Sequence, residues 1–156
     1  MLFEEIKSYF ESQGLGDRVK DLSQSSATVE EAAKAVGTEP KQIAKTLSFL
    51  IDGEPILVVA AGDAKVDNHK FRAEFNHKAK MIHADEVEGY VGHAPGGVCP
   101  FCIKPNVKVY LDVSLRRFDI VYPAAGTAHS AIKLTPDELA VHSKSLKWVD
   151  VCSHWE

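Results

Sequence analysis

A mixed α/β fold of the α+β kind is predicted by this 156-residue sequence, with a curled, mostly antiparallel, barrel-like sheet and flanking helices. Three observations carry that prediction. Helical and strand-like periods both occur, but without the regular strand–helix alternation of a doubly wound sheet. The clearest pair of strand-like runs is joined by Asp52-Gly53, a strong two-residue hairpin signal. The composition, 45% hydrophobic and 26% charged, suits a globular chain with one substantial core, so residues 1–156 are expected to form a single domain.

The elements follow in order. Phe3, Ile6 and Phe10 recur at helical spacing among charges, which predicts a half-solvated helix over 2–13. Thr28-Val29-Glu30-Glu31 reads as a capping box opening a helix that stops at Gly37. Pro40, near a first helical position, restarts a short helix. The runs 45–51 and 55–61 are strands. Residues 67–78, with Phe71 and Phe75 four apart, suit a short surface helix. A further helix opens at Asp85 and ends at Gly89 or Gly92. Strands are expected at 107–113, 119–122 and 131–134, and one including 148–151. Between the last two, Thr135 and Glu138 form a second capping box with Pro136 at the first helical position.

Composition also excludes function classes. The net charge of −4 rules out an overall basic protein that coats phosphates, although a local basic face remains open around Lys65, His69, Lys70, Arg72, His77, Lys78 and Lys80. No apolar run approaches the roughly 20 residues of a membrane span. Glutamates at positions 4, 5 and 11 break up any secretory leader, so a cytoplasmic location is expected. Three cysteines then point to a reducing compartment rather than a disulfide scaffold.

Candidate chemistry gathers at a few places. Residues 96–105, GGVCPFCIKP, contain a C-x-x-C. A redox dithiol would open a helix whose dipole lowers a thiol pKa, but no helical pattern follows Cys102. A structural zinc site needs four ligands, and Cys152, His93 and His129 lack paired spacing. What remains is a turn with buried hydrophobe-like cysteines, or a ligand-facing loop in which Gly96 and Gly97 allow close backbone approach. Lys45 sits where helix 40–44 meets the strand. It could simply complement the helix dipole, or stand as a cation at a pocket mouth. The loop 123–130 offers Gly126, Thr127, His129 and Ser130 as a polar pocket floor, and His-Ser adjacency is not a triad.

Taken together, IAKTLSF (43–49), GGVCPFCIK (96–104) and VYLDVSLRRFDIVYPAAGTAHSAIKLTPDEL (109–139) resemble the YbaK-like family of aminoacyl-tRNA deacylases. That family also supplies the editing domain inserted in bacterial prolyl-tRNA synthetases. The resemblance runs from about residue 20 to 152, and the ordered trio is more specific than any single piece. It implies a curled, mostly antiparallel sheet with flanking helices. It also implies hydrolysis of the ester between a mischarged amino acid and the 3′-terminal adenosine of tRNA, usually proline tRNA. Such editing answers the limit of about 10–200-fold on selection by one methylene.

The same resemblance assigns roles. Lys45 matches the family's essential lysine and would hold the terminal phosphate or the ester carbonyl. Gly96, Gly97, Pro100 and Phe101 match the glycine-rich pocket loop, and Gly126 with His129 and Ser130 matches a second pocket loop. With no protein nucleophile in the family, glycine-loop NH groups (Gly97, Gly126) would stabilise the oxyanion while a ribose hydroxyl or a water attacks. Two departures bear on the substrate. Cys99 and Cys102 stand where Ser and Gly are common, and Thr46 replaces an Asn found in an alanine-clearing branch. Thr46 and Cys99 are therefore expected among the substrate-binding residues. No metal or other cofactor is expected. The expected partners are the aminoacyl-tRNA acceptor end and a prolyl-tRNA synthetase, with the chain itself a monomer. The alternative is a non-catalytic module that binds an aminoacyl-adenosine or the tRNA 3′ end.

Overall fold

The computed structural model describes residues 2–155; Met1 and Glu156, the ends of the expected 1–156 unit, lie outside the described residues. The chain runs α1 (Leu2–Ser12), β1 (Val19–Asp21), α2 (Val29–Val36), β2 (Ile43–Ile51), β3 (Glu54–Ala61), β4 (Lys65–Val66) and α3 (Asn68–Phe75). It continues with α4 (Val87–Val91), β5 (Lys108–Asp112), β6 (Tyr122–Pro123), β7 (Ser130–Ile132), α5 (Pro136–His142), β8 (Lys147–Val149) and β9 (Cys152–Ser153). Short 3₁₀ turns lie at Gly16–Arg18, Pro40–Gln42 and Val113–Arg117.

The main sheet has the order β6-β2-β3-β5-β8 and curls into a half-barrel. The β2–β3 hairpin pairs antiparallel from Ala44 opposite Ala61 to Ile51 opposite Glu54. Its turn residues Asp52 and Gly53 both have positive φ, 52° and 78°, as a tight primed turn requires. Two small satellites, β1–β7 and β4–β9, are also antiparallel. The other pairings of the main sheet, β2–β6, β3–β5 and β5–β8, are parallel. The α+β fold class therefore holds, with a mixed sheet. Parallel neighbours meet only through long connections, so no turn motif marks them in advance.

Caps explain where the helices begin. Thr135 accepts from the Glu138 NH at 3.1 Å and the Glu138 carboxylate accepts from the Thr135 NH at 2.9 Å, a complete capping box. At α2 only half of the motif forms. Thr28 accepts from the Glu31 NH at 3.1 Å, but the Glu31 carboxylate takes the hydroxyls of Ser25 and Thr28 instead of returning a backbone bond. Pro40 opens one 3₁₀ turn rather than a helix, and β2 already starts at Ile43. Lys45 is thus the third residue of a strand, and a helix dipole does not account for it.

The core centres on β3, where Leu57 to Ala61 are fully buried, and takes in the fully buried Ile6 and Phe10 of α1. The helix α3 docks on it through Phe71, whose ring lies 4.8 Å from Phe49 and 4.7 Å from Phe75. The expected surface helix is therefore anchored, because removing a fully buried ring costs about 3–5 kcal/mol. The short β1, β4 and β9 carry too few residues to show a period, so the sequence does not announce them.

Candidate functional site

Lys45 pairs in register with Ala60, near the end of the hairpin ladder. Its half-buried side chain runs on past that end to the following turn, where the Nζ donates to the carbonyls of Gly62 (3.4 Å) and Ala64. Burial lowers its pKa, which Cys152, Asp63 and Glu30 oppose and Lys65 reinforces. An ammonium has three donors, so one N–H direction is left for a ligand.

Lys45 lines a cavity of about 190 Å³. The strand contributes Ile43, Ala44 and Thr46, and the segment entering α2 contributes Ser26, Ala27, Thr28, Val29 and Ala32. Gly96 and Val98 come from the glycine loop, while Tyr122, Ala124, Ser130 and Ala131 close the far wall. The lining is small and mostly apolar, with hydroxyls from Ser26, Thr28, Thr46, Tyr122 and Ser130. The Thr46 Oγ1 is buried without a hydrogen-bond partner.

Two glycine loops meet beside this cavity. A Cβ on Gly97 would fall 2.8 Å from the carbonyl carbon and oxygen of Gly126 and from the Thr127 Cα. Only a residue without a side chain lets the two backbones touch. Ser130 ties the second loop: its Oγ accepts from the Ala125 NH (2.9 Å) and the Thr127 NH (3.3 Å) and donates to the Thr127 carbonyl (3.1 Å). Its NH donates to Ser26 Oγ at 3.0 Å, which donates back to the Ser130 carbonyl at 3.1 Å. That hydroxyl is already committed to the backbone. His129 does not activate it, since its ring is exposed and pairs with Asp21 at 3.3 Å.

Of the anticipated site residues, Lys45, Thr46, Gly96 and Ser130 line the small cavity, and Gly97 and Gly126 abut it. The rest of the Cys-Pro-Phe-Cys stretch goes elsewhere. Pro100 and Phe101 belong to a larger cleft of about 550 Å³ with Tyr9, His142, Lys104 and Lys108. Phe101 is 1% exposed, its ring 5.0 Å from Phe10, so it is core rather than a wall of the Lys45 cavity. The larger cleft holds none of the paired glycines and no buried amine. The chemistry therefore favours the smaller space.

Cys99, expected to shape the pocket directly, is fully buried beneath the loop, its Sγ 3.6 Å from His93 Nε2. His93, which the sequence offered only as a spare zinc ligand, is fully buried as well. Its Nε2 donates to the Phe101 carbonyl at 2.7 Å, which leaves Nδ1 as a bare, unpartnered acceptor behind Gly126. Burial lowers its pKa, and the bond to Phe101 opposes this. The ring braces both loops from below. Ser26, Thr28 and Tyr122 also line the cavity unannounced, because only the tertiary fold brings them there.

All three cysteines are free, and burial raises their pKa, to about 12 for Cys99 and Cys152. A redox dithiol needs the opposite shift. Only Cys102 is exposed, so a thiol reagent at pH 8 should titrate one thiol in the native protein and three after denaturation. Rapid native modification of Cys99 would contradict its burial. Among the described residues no group of three or more His, Cys, Asp or Glu side chains is placed to hold a metal ion. No described helix is long and apolar enough to cross a membrane.

A family profile described as an aminoacyl-tRNA editing domain matches residues 23–141. The uncharacterized protein YwhH of Bacillus subtilis (strain 168) is 48% identical over 157 residues, covering 100% of both chains. A candidate Cys-tRNA(Pro)/Cys-tRNA(Cys) deacylase of Enterococcus faecalis (strain ATCC 700802 / V583), EbsC, is 27% identical over 119 residues, 75% of this chain and 73% of that one. A crystal structure described as a candidate trans-editing enzyme for prolyl tRNA synthetase superposes with a TM-score of 0.85 at 29% identity, covering 97% of this chain and 96% of that one.

Proposed function

Because the chain belongs to the aminoacyl-tRNA editing domain family, we propose that it is a trans-editing hydrolase that cleaves the ester of a mischarged aminoacyl-tRNA. The observation that carries this reading is the Lys45 ammonium, held by two backbone carbonyls at a small cavity bordered by two touching glycine loops. Lys45 binds the terminal phosphate or polarises the ester carbonyl. The Gly97 NH is already given to the Ala94 carbonyl and the NH groups flanking Gly126 to Ser130 Oγ, so the developing oxyanion falls to the Lys45 ammonium, while a water or the substrate's ribose hydroxyl attacks. No side-chain nucleophile is required, in keeping with the committed hydroxyl of Ser130 and the high pKa of Cys99.

The cavity volume and its alanine-rich wall favour a small amino acid such as alanine or cysteine, carried on proline tRNA. With a net charge of −4 the protein touches only the acceptor end, so its affinity should be weak and salt-sensitive. A prolyl-tRNA synthetase is the natural second partner, as the description of the structural relative suggests.

A multiple-turnover panel of proline tRNA charged with Ala, Cys, Ser or Pro tests the proposal. At least one small non-cognate ester should be hydrolysed well above its spontaneous rate while prolyl-tRNA is spared. Affinity without turnover across the panel would return the protein to a binding module.

A further inference from the structure

We infer that Arg117 is a positioning residue for Lys45, acting through the Gly62–Ala64 turn that it grips by way of Asp63; the inference rests on the editing role of the Lys45 cavity. The Lys45 amine is held by backbone oxygens of this turn. Its location is therefore set by whatever fixes the turn.

Three contacts do so. The turn closes on itself through the Ala64 NH to the Ala61 carbonyl at 3.0 Å. Gly62 is wedged against the cavity side, where a Cβ would lie 2.0 Å from the Pro40 carbonyl oxygen and 2.7 Å from Val29 Cγ1. The Asp63 carboxylate is gripped by Arg117 at both oxygens, Nη2 to Oδ1 at 2.6 Å and Nη1 to Oδ2 at 3.1 Å. This two-point fork sets direction as well as distance.

The guanidinium is itself immobilised. Its Nε donates to the Ser114 carbonyl at 2.8 Å, and its carbon lies 4.6 Å from the Phe118 ring and 4.9 Å from the Trp155 ring. The same 3₁₀ turn reaches β3 at a second point, where Ser114 Oγ accepts from the Ala61 NH at 3.1 Å. Ser114 is anchored in turn by the fully buried Asp112, whose carboxylate accepts from the NH groups of Ser114 (3.0 Å) and Val151 (2.9 Å). One rigid segment, 112–117, thus holds the end of β3 and the turn beyond it. The turn presents its carbonyls to the lysine.

The charged and titratable groups facing the amine are Asp63 in the turn, Cys152 on β9, Glu30 on α2 and Lys65 on β4. Two of these are tied to the clamp, Asp63 by Arg117 and the Cys152 thiol by its hydrogen bond to Asp112. Removing the Asp63 charge should destabilise the ammonium and move the titration of Lys45 to lower pH.

The test compares wild type with Arg117→Met, Arg117→Lys and Asp63→Asn. It reads thermal melting, kcat/KM on the best mischarged tRNA, and the titration of the Lys45 side chain by ¹³C-lysine NMR, assigned with Lys45→Arg. Arg117→Met should melt cooperatively yet lose about tenfold or more in kcat/KM, with a displaced Lys45 titration. Arg117→Lys should recover only part of that loss, because an ammonium cannot make the fork. Asp63→Asn should lower the Lys45 titration and bring the alkaline limb of the rate profile down with it.

A folded Arg117→Met protein with kcat/KM within about twofold of wild type and an unmoved Lys45 titration would overturn the inference. If Arg117→Met does not fold, Asp63→Asn decides by the same readouts. If wild type hydrolyses no ester, the editing reading fails, and the NMR titration alone judges the clamp.

Discussion

Lys45→Ala is expected to reduce deacylation of mischarged tRNA by about 100-fold or more, the usual effect of deleting one donor aimed at developing charge. The variant should remain folded. Alanine keeps the backbone of β2, and its ladder to β3 does not use the lysine side chain. What is lost structurally is the donor to the Gly62 and Ala64 carbonyls, about 1.5–3 kcal/mol for a hydrogen bond from a charged group. Lys45→Arg should not rescue, because a planar guanidinium does not fit where a compact ammonium is gripped by two carbonyls. The wild-type pH profile makes a second demand. Burial lowers the Lys45 pKa, so the active ammonium is lost as pH rises through a value below that of a free lysine. The rate should therefore fall on the alkaline side earlier than an exposed lysine would dictate. Circular dichroism with a deacylation assay across pH checks both, and full activity in Lys45→Ala would remove the lysine from the mechanism.

How much of this was legible beforehand depended on whether a feature was local. Asp52-Gly53 announced its hairpin because a primed turn needs two residues that tolerate positive φ, and both are adjacent. Thr135 and Glu138 announced a helix start for the same reason, three residues apart. The sequence marks Lys45 as a possible pocket cation, but the helical look of 40–44 hides a strand whose partner lies across the hairpin. The glycine loop was recognised as one unit. The chain nevertheless turns within it, sending Gly96 toward Lys45 and burying Cys99 and Phe101 against His93 and Phe10. No local pattern encodes that divergence. The pairing of Asp63 with Arg117 spans 54 residues, and the parallel strands are joined by comparably long excursions. Such contacts are invisible to periodicity because they are decided by packing. Thr28 announces its cap within three residues, but its second position, on the wall of the cavity, belongs to the fold alone.

Gly97→Ala is the other substitution with a large expected effect, and it is a question of space. The new Cβ would sit 2.8 Å from three backbone atoms of Gly126 and Thr127, closer than real methyl contacts come, and backbone has no flexible end to yield. Gly126 cannot retreat easily. A Cβ built there lies 3.0 Å from Ile6 Cδ1 and 3.6 Å from the buried His93 ring, so the space behind it is filled, and Ser130 holds the NH groups on either side. The displacement must then fall on the first loop, which near Gly97 is tied by the bond from its NH to the Ala94 carbonyl at 3.1 Å and farther along by the Phe101 carbonyl to His93. A shift near an ångström in the loop that positions the ester against Lys45 is enough to cost about 100-fold in rate. Overpacking of this kind should also destabilise the fold by about 1–3 kcal/mol. Gly96→Ala is the informative partner. Gly96 has φ of 88°, so alanine there is strained, by about 1–3 kcal/mol for a left-handed non-glycine. The nearest atom to its Cβ, however, is the Ala128 Cβ at 3.4 Å, a contact that can relax. The two variants should therefore lose comparable stability while Gly97→Ala loses far more activity. Equal loss of activity in both would mean that the mobility of the loop, rather than the close approach of its backbone to Gly126, sets the rate.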